Sequence, residues 1–133
     1  MKKVIDKLAW LMIRDGKLLN ARSKNKTLFY LPGGKRETGE SDQQALIREI
    51  KEEISVDLIA DSLQYAGTFE APADGEHSET IVKLTCYFAD FKGELSPQSE
   101  IEEIAFIDFN NKNRCSLGSI KVMAWLKEQE LMG

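Results

Sequence analysis

The chain has 133 residues, 42% hydrophobic and 30% charged, which fits one globular domain and argues against disorder. Lys and Arg total 18 against 22 Asp and Glu, giving a formal charge of −4. That balance argues against a non-specific nucleic-acid binder but not against an anionic ligand, because a bound divalent cation reverses the local field.

In chain order, Met1-Lys2-Lys3 leads to Asp6 and Lys7 before any signal-peptide core can form. The apolar run Leu8 to Ile13 reads as a buried strand and is far shorter than the ~20 residues of a membrane span, so the expectation is a cytoplasmic protein. Asp15-Gly16 makes a hairpin turn, and Lys17 to Arg22 returns as a second strand. A basic loop over 22–26 follows, then a short extended piece from Phe29 to Leu31 that ends at the breaker Pro32-Gly33-Gly34. Ser41 to Ile54 is the clearest helix, capped by Ser41 or Asp42.

Leu63 to Phe69 reads as extended. Ile81 to Phe88 alternates, with Val82, Leu84, Cys86 and Phe88 on one face. Ile104 to Phe109 is a further strand. Leu117 to Leu131 is a second helix whose apolar face comprises Leu117, Ile120, Met123, Ala124 and Leu131. Cys86 and Cys115 are too few for a disulfide framework and read as free thiols. Strands flanked by one early and one final helix predict a mixed sheet between helices.

The first helix carries the chemistry. On a wheel with Glu49 at zero, Leu46, Ile50, Ile54 and Ile47 fall between about +60° and +160°, a core-facing stripe. Glu52 at about −60° and Glu53 at about +40° share the adjoining face with Glu49. Ala45 and Asp42 are predicted to lie among these carboxylates, Ala45 leaving room for a ligand. Such like-charge pairs cost only a few tenths of a kcal/mol in solvent, so a plain solvated acidic face, with Arg48 bridging to Glu52, is the better account of the spacing alone. The surroundings favour a site, because a Gly-Gly turn lets backbone approach a metal or phosphate and clustered hard oxygens suit Mg²⁺.

Gly34, Glu40, Arg48-Glu49, Ile50 and Glu52-Glu53, followed by Ser55 and Val56, resemble the signature of the Nudix hydrolases. A chance match is on the order of 10⁻⁵, so the motif is specific. Ser55 departs from the family's Gly at that position. The order of elements also looks like the whole Nudix α/β/α sandwich, a single domain over residues 1–133. The resemblance implies that Glu49, Glu52 and Glu53, with the Gly34 carbonyl, ligate Mg²⁺, for which Mn²⁺ is a substitute. It further implies that Arg48 orients the glutamates and that Glu40 braces the loop against the helix.

The reaction implied is attack of water on a phosphoanhydride, assisted by the metal. Glu53, Glu52, Arg48 and Glu100 are the expected catalytic residues. Glu100 matches a loop glutamate that serves as general base in the family, with Glu103 second; an ordinary acidic turn explains that segment equally well. Arg22, Gly33, Gly34 and Phe29 are the expected substrate contacts. The Arg22 fork suits phosphate, so neutralising it should raise KM more than it lowers kcat. Tyr65 and Phe69 are further stacking candidates beside Phe29, although for all three a strand aromatic is usually core. His77, in a loop expected over 73–78, reads as solvated. Pro72 resembles a residue of the ADP-ribose-cleaving subgroup.

The expected substrate is a small nucleoside phosphate. The leading reading is a nucleoside triphosphate, oxidised or otherwise non-standard, cleaved to monophosphate and pyrophosphate. ADP-ribose or a dinucleotide is the alternative within the enzyme class, and a non-catalytic nucleotide sensor the alternative outside it. No nucleic-acid or membrane partner is expected; a homodimer stays open.

Overall fold

The computed structural model describes residues 3–73 and 79–133. β1 (Lys3–Leu11) is the centre of a four-stranded mixed sheet in the order β4-β1-β7-β6. It runs parallel to β7 (Thr80–Phe88) and antiparallel to the short β4 (Gly33–Gly34). β6 (Gln64–Pro72) pairs antiparallel with β7. The chain breaks step at Met12, and β2 (Ile13–Arg14) turns through Asp15 and Gly16, both at positive φ, into β3 (Lys17–Ser23). β3 and β9 (Ile101–Ile107) complete a three-stranded antiparallel sheet. A small β5 (Asp57–Leu58)–β8 (Phe91–Lys92) pair closes one end.

Alternation along β1 divides the core. Leu8 and Trp10 pack under α1 (Asp42–Ile54) with Leu19, Ile50 and Ile54. Ala9 and Leu11 face the other way, under α2 (Leu117–Glu128), with Leu18, Val122, Met123 and Leu126. Each strand thus feeds one apolar layer per face, as a sheet covered on both sides requires. On β7 the expected alternation holds, since Val82, Leu84, Cys86 and Phe88 all belong to the α2 layer. Both thiols are free and buried. Burial pushes Cys86 up to about 12 and Cys115 up to about 11, so neither forms a thiolate readily.

Several boundaries differ from the sequence reading. β1 starts at Lys3 instead of Leu8, and β9 at Ile101 instead of Ile104. Phe109 opens a 3₁₀ turn capped by Asp108 and is not part of the strand. In α2 the expected face holds at Met123, which is buried, and at Ile120, which packs against the core, but not at Leu117 and Leu131, each 45% exposed, or at exposed Ala124; Gly118, Ser119, Val122 and Leu126 are buried instead. The reason is close approach. Ser119 Oγ donates to buried Asn20 Oδ1 at 2.8 Å, and a Cβ on Gly118 would come within 2.9 Å of Leu84 Cδ1. Small residues let the helix sit down on the strands, a gain that hydrophobicity alone does not register. No helix among the described residues is long and apolar enough to cross a membrane.

Candidate active site

Ser41 is the N-cap of α1: its hydroxyl accepts the Gln44 N–H at 3.1 Å, while Gln44 Oε1 accepts the Ser41 N–H at 2.9 Å. This reciprocal cap fixes where the helix begins. Leu46, Ile50 and Ile54 then bury fully, together with Ala45. Ala45 therefore belongs to the core and does not open a gap among the carboxylates as expected. Asp42 is also occupied, accepting from Arg36 Nε and, at 2.8 Å, from the Tyr87 hydroxyl. Arg36 reaches Asp6 as well, at 3.1 Å, pinning the 35–41 loop to β1.

Past Ile54 the chain must reverse. Ser55 does so in the left-handed region (φ 69°) despite lacking glycine's freedom, and its N–H donates to Lys51 O at 3.2 Å. The next orphan carbonyls are met from a distant loop: Ser96 N–H donates to Ile54 O at 3.1 Å and Gln98 N–H to Glu53 O at 2.8 Å. That contact brings the loop preceding Glu100 to the acidic end of α1.

The glutamates meet the Gly33–Gly34 corner. β4 lies so close to β1 and α1 that a Cβ on Gly34 would overlap the Glu49 carboxylate, and one on Gly33 would overlap the Leu8 carbonyl. Gly33 also sits at φ +146°, a conformation essentially reserved for glycine. Its N–H donates to Glu53 Oε1 at 3.1 Å. Arg48 ties the cluster together. It grips Glu40 with two bonds of 2.7 and 2.8 Å, donates to Glu49 at 2.9 Å and to the Lys35 carbonyl at 3.2 Å, and reaches Glu52 at 3.5 Å. The Arg48 fork, with the Glu37 N–H, holds the Glu40 carboxyl down at about 2.

Glu53 behaves oppositely. Burial pushes its carboxyl up to about 7, offset by the Gly33 N–H and reinforced by the charge on Glu49. A carboxyl raised from 4.5 in the unfolded chain to about 7 contributes stability that is present below the lower value and is lost as pH rises through the higher. The metal-free protein should therefore lose stability from this group between pH 5.5 and 8. A cation bound at Glu53 should restore more at pH 8 than at pH 5.5, a contrast that thermal unfolding with and without Mg²⁺ measures. Equal Mg²⁺ shifts at both pH values would remove Glu53 from any ion-binding role.

Among the described residues, no three metal-ligating side chains stand preassembled around one point. Arg48 engages Glu49 and Glu52, and Gly33 engages Glu53. The donor set nonetheless fits a hard divalent cation. Glu49 and Glu53 are one helical turn apart against the same glycine corner, and their charges oppose each other. Glu52, 56% exposed and only loosely held, can change rotamer at little cost.

Glu53 and Gly33 line a cleft of about 280 Å³ together with residues of β1, β3 and β7. Leu31, Val82, Leu84 and Ile101 give it apolar walls, Ser116 and Gly118 at the start of α2 lie at its side, and Pro72 is on its lining. Two ammonium-bearing side chains, Lys7 and Lys26, also line it.

Other expected contacts are not in the cleft. Ala21 and Ser23 line it, but Arg22 between them turns away on the pleat. Its fork is spent on Glu102 at 2.8 Å, Glu103 at 3.3 Å and the Lys26 carbonyl at 3.1 Å. The expectation of a phosphate grip by Arg22 is thus corrected to a brace for the loop that carries Lys26. Phe29 is only 3% exposed, with Arg22 and Arg114 guanidinium groups over its ring at 5.9 and 5.0 Å, so no base can stack there. Phe69 packs on Trp125 in the core, and Tyr65 is an exposed residue edge-on to Tyr87. Glu100 is exposed in the turn before β9, whereas Glu103 is paired with Arg22. His77 lies outside the described residues.

The residue that the sequence reading missed is Lys7. In sequence it reads as a charged interruption ahead of the apolar run, yet it occupies a cleft-lining position of β1. The available signal was its place in the every-second-residue series Ile5, Lys7, Ala9, Leu11.

The fold and site define an α/β protein in which one carboxylate, Glu53, and two lysines, Lys7 and Lys26, line the same cleft. Comparison with known proteins names the family. The NUDIX domain profile matches residues 7–126, and the chain belongs to the Nudix hydrolase family. It is 31% identical over 113 residues to an ADP-ribose pyrophosphatase of Methanocaldococcus jannaschii, covering 83% of this chain and 65% of that protein. It is 35% identical over 98 residues to a CTP pyrophosphohydrolase of Escherichia coli, covering 70% of this chain and 68% of that protein. The aligned region thus spans about two thirds of these relatives. Among solved structures, the E. coli ORF135 protein superposes with a TM-score of 0.71 at 26% identity, covering 95% of this chain and 92% of the other. A MutT protein from Methanosarcina mazei shares the fold with a TM-score of 0.77 at 18% identity, covering 97% and 96% of the two chains.

Proposed function

We propose that this Nudix chain is a divalent-cation-dependent pyrophosphohydrolase that cleaves a nucleoside triphosphate to the monophosphate and pyrophosphate. The observation that carries this reading is the seating of Glu49 and Glu53 on the Gly33–Gly34 corner, with Gly33 and Glu53 on the lining of a cleft that also carries lysines and apolar walls. Glu49, Glu52 and Glu53 are the ion-holding residues, with the Gly34 carbonyl beside them. Mg²⁺ is the expected ion, with Mn²⁺ as a substitute; a Francisella tularensis Nudix-fold neighbour was crystallised with AMP and a Mn ion. When bound, such an ion neutralises phosphate charge and makes water a better nucleophile.

Arg48 keeps the glutamates in register by fixing Glu49 from one side and Glu40 from the other. Gly33 holds Glu53 Oε1 toward the cleft through its N–H. Glu100, exposed on the loop tethered to the end of α1, is the group assigned to take the proton of the attacking water. The apolar walls exclude bulk water and receive the nucleoside.

ADP-ribose is the second reading. Pro72 on the cleft lining and the 31% identity to an ADP-ribose pyrophosphatase favour it. Assay of nucleoside triphosphates, including CTP, beside ADP-ribose and dinucleotides separates the readings by product. Pyrophosphate release marks a triphosphate substrate, two monophosphates mark ADP-ribose, and tight binding without product marks a sensor. The triphosphate reading predicts pyrophosphate from at least one nucleotide of the panel; its absence throughout would discard it.

A further inference from the structure

We infer that Lys7 is a phosphate-binding residue of the cleft, its ammonium holding the substrate's phosphate chain between the carboxylates of α1 and the apolar nucleoside walls. The inference rests on the proposed function for the identity of the substrate, though not for the presence of a phosphate.

The first argument is positional. On the α2-facing side of the central strand β1, the series runs Ile5, Lys7, Ala9, Leu11, abreast of Val82, Leu84, Cys86 and Phe88 on β7. Beyond the Lys3–Thr80 pair at the start of the two strands, every other member of this face is apolar, and Lys7 stands directly beside Leu84. A charged group placed there gives up hydration, at a cost of kcal/mol order unless an anion compensates. Leucine or valine would bury apolar surface at the same position without that cost.

The second argument is the missing partner. Among the described residues, no carboxylate lies within ion-pair distance of Lys7 Nζ, although Glu49 and Glu53 are near enough to act on its charge. The polar partner of Glu53 is the Gly33 N–H instead. A lysine serving only to neutralise Glu53 would be bonded to it. The Lys7 side chain lines the cleft together with Glu53 and Lys26, and Lys35 is close enough to repel it. Gathering like charges beside an apolar wall makes sense when a polyanion is to fit between them. The compact ammonium suits this as a point charge on a phosphate oxygen.

The test compares wild type, Lys7→Met and Lys7→Arg by calorimetric titration with two probes in Mg²⁺, inorganic pyrophosphate and α,β-methylene CTP, alongside steady-state kinetics. Losing one charge-assisted hydrogen bond corresponds to about tenfold or more in affinity. Lys7→Met should weaken both probes by about that factor and raise KM more than it lowers kcat. Lys7→Arg should recover most of the loss, and cytidine, which lacks phosphate, should bind all three proteins alike. The melting temperature of Lys7→Met should not fall, which separates a binding role from a structural one. Pyrophosphate binding that depends on Lys7, in a protein that hydrolyses no nucleotide, would support the inference while sinking the proposed function. Probe affinities within about twofold of wild type in Lys7→Met, a change confined to the Mg²⁺ requirement, or a wild type that binds neither probe would each overturn it.

Discussion

Glu53→Gln should lower cation-dependent turnover by two to three orders of magnitude and leave the protein folded and, above neutrality, more stable without metal. The two effects share one cause. Glu53 is half-buried against the glycine corner, with Glu49 and Glu52 adding like charge, so its ionised form is disfavoured in the native state. Glutamine keeps the shape and can still accept the Gly33 N–H, but carries no charge to repel its neighbours. The melting temperature of the metal-free variant at pH 8 should therefore equal or exceed that of wild type. The same substitution removes an anionic oxygen from the proposed ion site, so the stabilisation by Mg²⁺ should largely vanish with activity. Melting curves with and without Mg²⁺, set beside turnover, check both. A variant that keeps full turnover, or still gains the wild-type increment from Mg²⁺, would contradict the assignment.

Alanine at the two neighbouring glycines should give opposite results. At Gly33 the new Cβ meets the Leu8 carbonyl, which is backbone of the central strand and cannot step aside, and φ +146° adds conformational strain. Gly33→Ala should cost roughly 2–4 kcal/mol of stability by prising β4 from β1, on the scale of other severe single substitutions. At Gly34 the new Cβ meets the far end of the Glu49 side chain, which can move. Gly34→Ala should unfold within about 1 kcal/mol of wild type, as surface changes without backbone strain do, while displacing a proposed ligand and weakening Mg²⁺ activation by tenfold or more. Denaturant midpoints and Mg²⁺ activation curves measured on both variants decide. Equal stability losses at the two positions would mean that the corner acts only as scaffold.

Much of this was readable in the linear chain because it depends on local rules. The α1 boundaries follow from a capping residue at Ser41 or Asp42, which the structure resolves to Ser41, and an uninterrupted apolar stripe ending at Ile54. The hairpin follows from Asp15-Gly16, which accept positive φ, and the strand β7 from period-two alternation. The acidic motif is legible because Gly34, Glu40, Arg48 and the three glutamates lie within one turn and one helix, so their spacing in sequence is nearly their spacing in space.

What spacing could not supply is the direction each side chain takes once distant segments meet. Arg22 looked suited to phosphate until β9 presented Glu102 and Glu103 to it. Phe29 is open to either role in sequence, and the two guanidinium groups and the α2 layer that cover it decide for the core. The α2 face is legible at Ile120 and Met123 but not at Gly118 and Ser119, which reach the strands through close approach and the Asn20 hydrogen bond. Lys7 reads in sequence only as a charge ahead of the apolar run, and parallel pairing with β7 turns it into the lining of a cleft. Helix phase and turn chemistry are fixed by neighbours a few residues apart. Burial, charge pairing and access to a cleft are fixed by residues up to a hundred positions away, so folding alone assigns them.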